Sequence, residues 1–183
     1  IGNWFAFRDF DFDGDFDLVT QNKNFQIGSY SAIMYYRNDD YDFNLITEGL
    51  QTIDGELVYS ELVSTPTFSD IDSDGDFDFF SGNSSNGSLT FYENVGIENS
   101  APIFNYITNF WQEISIIGDL NLRHGASAVT FIDIDNDNDL DLSWGDYFQP
   151  SLYIIMNIGN STEPNMDISN IILEYPYNDP IQT

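Results

Sequence analysis

Residues 9–17 (DFDFDGDFD), 70–78 (DIDSDGDFD) and 133–141 (DIDNDNDLD) align without a gap, and their first residues stand 61 and then 63 positions apart. Self-similarity at a fixed period of this length is the mark of a repeat architecture. The similarity runs outward from the three segments. A phenylalanine sits two residues before each, at Phe7, Phe68 and Phe131. A short apolar run follows each: Leu18 with Val19, Phe79 with Phe80, and Leu142 with Trp144. Sixteen residues beyond the second and third segments an asparagine closes an apolar strand, in SLTFYEN ending at Asn94 and SLYIIMN ending at Asn157. The first repeat has IMYYRN ending at Asn38, a few residues later, and so carries an insertion. A turn and then Phe43, Phe104 or Met166 complete the common pattern.

Each repeat therefore reads as strand, acidic loop, strand, turn, strand, turn, strand. The boundaries fall near residues 1–63, 64–125 and 126–183. Four short strands in roughly sixty residues is the content of one β-propeller blade. The fourth strand is expected within 44–64 and 105–125, the less regular stretches. Composition agrees with an all-β chain. Phe (16), Tyr (11) and Trp (3) are abundant beside many Ile, Val and Thr, which favour strands. No window of helix length shows a convincing 3.6-residue apolar period.

The loops read as metal sites. In 70–78, Asp70, Asp72 and Asp74 hold positions 1, 3 and 5, Gly75 position 6, Asp76 position 7 and Asp78 position 9. Five aspartates in nine residues repel one another unless something neutralises them. Alternate spacing on a curving backbone turns the side chains at 1, 3 and 5 toward one point. Glycine at 6 permits a turn with positive φ. The carbonyl at 7 then points inward and the carboxylate at 9 closes the shell. Hard oxygen donors in that number suit Ca²⁺, whereas Mg²⁺ demands a stricter octahedron. No His or Cys lies nearby for zinc. The third loop has Asn138 at position 6, and Asn tolerates the left-handed region better than other non-glycine residues. An EF-hand needs an acidic residue at position 12 and then a helix. Position 12 here is Thr20, Ser81 or Trp144, and strand-like sequence follows.

Charge and composition exclude several classes. Among 183 residues, 31 acidic against 4 basic give a net charge of -27. Such a chain repels nucleic acid and anionic membrane surfaces and attracts cations. Without cysteine there is no disulfide, thiolate zinc site or cysteine nucleophile. No run of 18 apolar residues predicts a membrane span. Ile1 is not an initiator Met and no basic region precedes an apolar run, so the expectation is a mature or excised piece of something longer.

At these residues the chain resembles the FG-GAP and VCBS repeats of integrin-type β-propellers, in which a D-x-D-x-D-G-x-x-D loop joins the first two strands of a blade. The resemblance spans nearly the whole chain as three repeats. Of the family's other signatures only traces stand here, at Ala101-Pro102 and Gly125-Ala126. It implies three Ca²⁺ sites: Asp9, Asp11, Asp13, Asp15 and Asp17; Asp70, Asp72, Asp74, Asp76 and Asp78; Asp133, Asp135, Asp137, Asp139 and Asp141. The residue at position 7 would give its carbonyl. It further implies part of a ring of about seven blades. Three repeats cannot close one, so further blades, neighbouring chains or an open array must meet the terminal edges. The implied role is a binding or scaffold module at the cell surface or outside the cell, for adhesion or for protein or glycan recognition. A non-catalytic domain of a secreted enzyme, or a subunit of a surface filament or secretion assembly, is the alternative.

No catalytic residue is expected. His124, the one histidine, stands in an Arg-His-Gly turn without triad spacing. Glu48, Glu56, Glu61, Glu93, Glu98, Glu113, Glu163 and Glu174 are scattered and read as solvated surface. Trp4, Trp111, Trp144, Tyr147 and Phe148 read as packing between blades in preference to a sugar- or protein-binding face. The sequons at Asn83, Asn86 and Asn160 predict no glycosylation in a chain so rich in Asn, Ser and Thr.

Overall fold

The computed structural model describes residues 2–115, 126–146 and 152–174. Apart from two single-turn 3-10 segments, Trp111–Glu113 and Ile168–Asn170, every regular element in them is a strand. No helix among the described residues is long and apolar enough to cross a membrane.

The strands form three sheets, each a meander of four consecutive antiparallel strands. The first holds β1 (Phe5–Arg8), β2 (Asp17–Ile27), β3 (Tyr30–Asp39) and β4 (Asp42–Thr47). After it come two short strands, β5 (Gln51–Thr52) and β6 (Tyr59–Glu61). The second sheet holds β7 (Thr67–Ser69), β8 (Asp78–Gly82), β9 (Leu89–Glu98) and β10 (Ala101–Thr108). The third holds β11 (Ala126–Ile132), β12 (Asp141–Asp146), β13 (Leu152–Ile155) and β14 (Ile172–Glu174). In all three, the acidic loop joins the first strand to the second. β6 pairs with the start of β3, while β5 crosses over to lie parallel to β10 of the second sheet.

The fourth strand begins earlier than expected, at Asp42 and at Ala101. Its hairpin turns have only two residues, Asp40-Tyr41 and Asn99-Ser100, all at positive φ between 51° and 73°. Two such residues give the turn whose twist matches that of the flanking strands, so the chain reverses at once. The third repeat has no such turn; Met166 bridges Asn157, and β14 follows only at Ile172. The insertion in the first repeat lengthens β2 and β3 into an exposed hairpin tip beyond a register shift between Asn22 and Gln26.

Adjacent residues Phe79 and Phe80 show how the sheets stack. Side chains alternate faces along a strand. Phe79 enters a core with Phe68 and Phe104 of its own sheet and Phe10, Val19 and Ile33 of the first repeat. Phe80 enters another with Leu89 and with Phe131 and Leu142 of the third repeat. The second sheet is thus covered on both faces, and every residue of β8 is buried. Edge-on aromatic contacts fill both cores, with ring centres 5.2 Å apart for Phe10–Phe68 and 5.0 Å for Phe80–Trp111. Each fully buried side chain of this size contributes about 1.5–3 kcal/mol. Hydrogen bonds stitch the sheets as well: Arg8 Nε donates to the Phe68 carbonyl at 3.1 Å, and Val129 N–H to the Thr65 carbonyl at 3.1 Å.

Trp4, Trp111 and Trp144 are buried in these cores. Tyr147, Phe148 and His124 lie outside the described residues. Glu61 corrects the reading of scattered surface glutamates. It is buried, and its carboxylate accepts the Ser84 N–H at 2.8 Å, tying β6 to the second repeat. Glu93 is half-buried and accepts from Asn105. The sequon asparagines Asn83, Asn86 and Asn160 are turn residues, each accepting the N–H two positions ahead.

Candidate metal centres

The three loops share one backbone design. Position 6 lies in the left-handed region in each: Gly14 at φ 100°, Gly75 at 99° and Asn138 at 74°. Position 4 does too, at Phe12, Ser73 and Asn136. Two left-handed residues per loop curl the backbone around the carboxylate at position 1. That carboxylate accepts the N–H of position 6: Gly14 to Asp9 at 3.0 Å, Gly75 to Asp70 at 3.2 Å and Asn138 to Asp133 at 3.1 Å. The carboxylate at position 5 accepts the N–H of position 7: Asp15 to Asp13, Asp76 to Asp74 and Asp139 to Asp137.

This curl brings carboxylates together. Asp9, Asp11 and Asp13 each offer an oxygen within 4.8 Å of the others, as do Asp70, Asp72 and Asp74. In the third loop the group is Asp133, Asp135 and Asp141, and Asp137 is not part of it. The position 7 residues behave differently from one another. Asp15 accepts the N–H of Asp40, whereas Asp76 and Asp139 each hold a buried oxygen with no donor.

Position 9 carries a role that the loop spacing alone does not reveal. Asp17, Asp78 and Asp141 are buried, and each accepts the backbone N–H of the recurring asparagine: Asn38 in β3, Asn94 in β9 and Asn157 just after β13. Asp17 also accepts from Phe10 N–H at 3.1 Å and from the Tyr35 hydroxyl at 2.9 Å. The signal was the asparagine recurring at Asn38, Asn94 and Asn157, but its partner depends on strand register.

The electrostatics follow from crowding. Burial pushes the Asp78 carboxyl up to about 8. Burial, and then the charge of Asp74, pushes Asp76 up to about 7. Asp11, Asp17, Asp72 and Asp135 are also raised, with burial the first cause in each. Among the described residues the one ion pair is Arg37 with Asp39, so no described basic side chain forms an ion pair with a loop carboxylate. Buried oxygens without a hydrogen-bond donor occur in all three loops, at Asp11, Asp70, Asp76 and Asp139. Such a donor set, all oxygen and negative, fits a hard divalent cation.

Comparison with protein-family models, curated proteins and solved structures finds no match to the chain.

Proposed function

We propose that the chain is a calcium-stabilised β-repeat module in which each acidic loop holds one divalent cation. In this reading the three four-stranded sheets are blades of the propeller type, akin to FG-GAP and VCBS repeats. They form a rigid scaffold that presents loops to a protein or glycan partner outside the cell. The observation that carries the reading is the set of buried, donorless carboxylate oxygens present in every loop. A buried polar atom without a partner costs free energy, and a buried charge costs more. A cation bound by oxygen removes that cost and the mutual repulsion together. Extracellular calcium, in the millimolar range, fills sites of moderate affinity.

The metal's role here is structural. It holds the loop that links the first two strands of a sheet, and with them the packing of neighbouring sheets. The reading assigns no catalytic group.

The test is thermal unfolding in calcium and in excess chelator. Calcium at a hundredfold excess over the dissociation constant adds about 2.7 kcal/mol per site. A melting temperature unmoved by chelation rejects the proposal.

A further inference from the structure

The junction between the first two sheets carries an insertion that the junction between the second and third lacks. Leu50 and Trp111 are equivalent. Each is buried in the core of its junction, three residues after a threonine whose hydroxyl accepts a backbone N–H: Gly49 to Thr47 at 3.2 Å and Phe110 to Thr108 at 3.0 Å. Val58 and Ile114 are equivalent as well. Both are buried, and the residue after each pairs near the start of the third strand, Tyr59 with Ala32 and Ser115 with Ser88. Eight positions separate Leu50 from Val58, but only three separate Trp111 from Ile114, so the first repeat inserts five residues. They fold as a small hairpin, with Thr52 N–H on the Glu56 carbonyl at 2.8 Å, Gly55 at φ 80° in the turn, and β5 laid on β10.

Between this segment and the hairpin of β9 and β10 lies a cleft of about 280 Å³. Both walls belong to one junction inside the chain. Ser115, the last described residue of the second repeat, pairs with Ser88 just before β9, whereas Glu98 ends that strand, about 30 Å away along it. Among the described residues, the lining has the aliphatic Ile46, Leu50, Ile53, Pro102 and Ile103 and no aromatic ring to stack a planar ligand. Glu98 is its one charged residue, and no described donor reaches that carboxylate. A net charge of -27 disfavours anions throughout. The space is smaller than the roughly 300–1,000 Å³ of drug-sized ligand pockets, and suits one long side chain.

The second junction shows what spans such a gap. Gln112, the counterpart of Gln51, crosses it, its Nε2 donating to the Pro164 carbonyl at 2.9 Å. In the first junction Gln51 is exposed instead. We infer that this cleft takes the lysine side chain of a protein partner, its aliphatic stem along Ile53 and Ile103 and its ammonium group on Glu98. Lysine lays its stem on apolar surface and keeps its charged head in polar surroundings. The inference rests on the scaffold reading for there being a partner, but on no bound cation.

The test is amide NMR of the isotope-labelled chain in calcium and about 0.15 M salt, which screens diffuse attraction to the acidic surface. The probe is a short Gly-Ser peptide with one central lysine. It should move the amides of Gly49, Gly55 and Asn99 saturably and leave Gly14 and Gly75 of the acidic loops in place. Norleucine in place of the probe's lysine, or Glu98→Gln in the chain, should weaken binding about fivefold, the most that one exposed ion pair supplies. Ile53→Ser should weaken it too. Glu98 and Ile53 are exposed, so the rest of each variant's spectrum should match the parent. Equal affinity for the lysine and norleucine probes, or for the parent and Glu98→Gln, overturns the inference. So does a response confined to the acidic loops. Butylamine moving the same amides where the peptide does not would make this a site for free amines and overturn the protein source. Failure of the metal reading shows separately, as a melting temperature unmoved by chelator whatever the peptide does.

Discussion

Asp78 accepts the backbone N–H of Asn94 at 2.8 Å, locking the end of the acidic loop to the third strand of its sheet. The same bond joins Asp17 to Asn38 at 2.9 Å and Asp141 to Asn157 at 2.8 Å. Both partners are buried in each repeat. The carboxylate at position 9 is therefore part of the fold before it is part of any metal site. Asp78→Ala leaves a buried N–H unpaired and should cost about 1–3 kcal/mol in urea unfolding, in calcium and in chelator alike. Asp78→Asn keeps an acceptor oxygen and removes a charge that burial disfavours, so its loss in chelator should be smaller. Equal stability of Asp78→Ala and parent in chelator would show that this bond has no weight.

Asp74 offers the contrast. It is exposed, and its carboxylate accepts the Asp76 N–H at 3.0 Å. Asp74→Ala should cost less than about 1 kcal/mol in chelator, as expected for one exposed bond. In a calorimetric calcium titration it should remove one site and leave the loops at Asp9 and Asp133 filled. Loss of every site at once would refute independent loops.

The repeat, the strand order and the position of each loop were legible because apolar and acidic residues recur in register: Phe7, Phe68 and Phe131 before the loops, and Asn38, Asn94 and Asn157 after them. The division of labour among the aspartates was not. Spacing says that Asp78 is near the loop, but strand pairing decides that its partner is Asn94. Glu61 looked like one more surface acid because its partner is a backbone N–H in the next repeat. The left-handed residue at position 4 was hidden as well. Only Asn136 is a type that favours that region, while Phe12 and Ser73 are of types that seldom adopt it.

Crowded carboxylates make stability depend on pH. Burial and neighbouring charge raise Asp78 to about 8 and Asp76 to about 7 in the folded chain without metal. An unfolded aspartate titrates near 3.9 or so. A group raised on folding gives stability that is fully present below its unfolded value and is lost as pH climbs through the folded one. In chelator, melting temperature should therefore fall from about pH 4 toward about pH 8, a trend that self-repulsion at high net charge reinforces. With calcium the trend should reverse, because protons compete for the same oxygens and the gain from metal grows with pH. Melting curves across this range, with and without chelator, provide the check. A flat profile in chelator would count against the burial of these groups.

Position 6 isolates the cost of backbone conformation from that of packing. Gly75 sits at φ 99°, and a Cβ built on it meets nothing within 4 Å. A side chain there is penalised only for the left-handed backbone, about 1–2 kcal/mol for an ordinary L-residue. Asn138 fills the same position at φ 74° in the third loop, and Asn is the residue that bears this conformation best after glycine. Gly75→Val should thus destabilise the chelated protein by about 1–2 kcal/mol or more, since a β-branched residue is least suited to positive φ. Gly75→Asn should cost only a fraction of that, and Asn138→Gly should be neutral or stabilising by a few tenths, on the order of 0.5 kcal/mol. Urea denaturation of the three variants in chelator measures each value without the metal. An equal cost for Val and Asn at position 75 would mean that the loop does not hold its left-handed turn in solution.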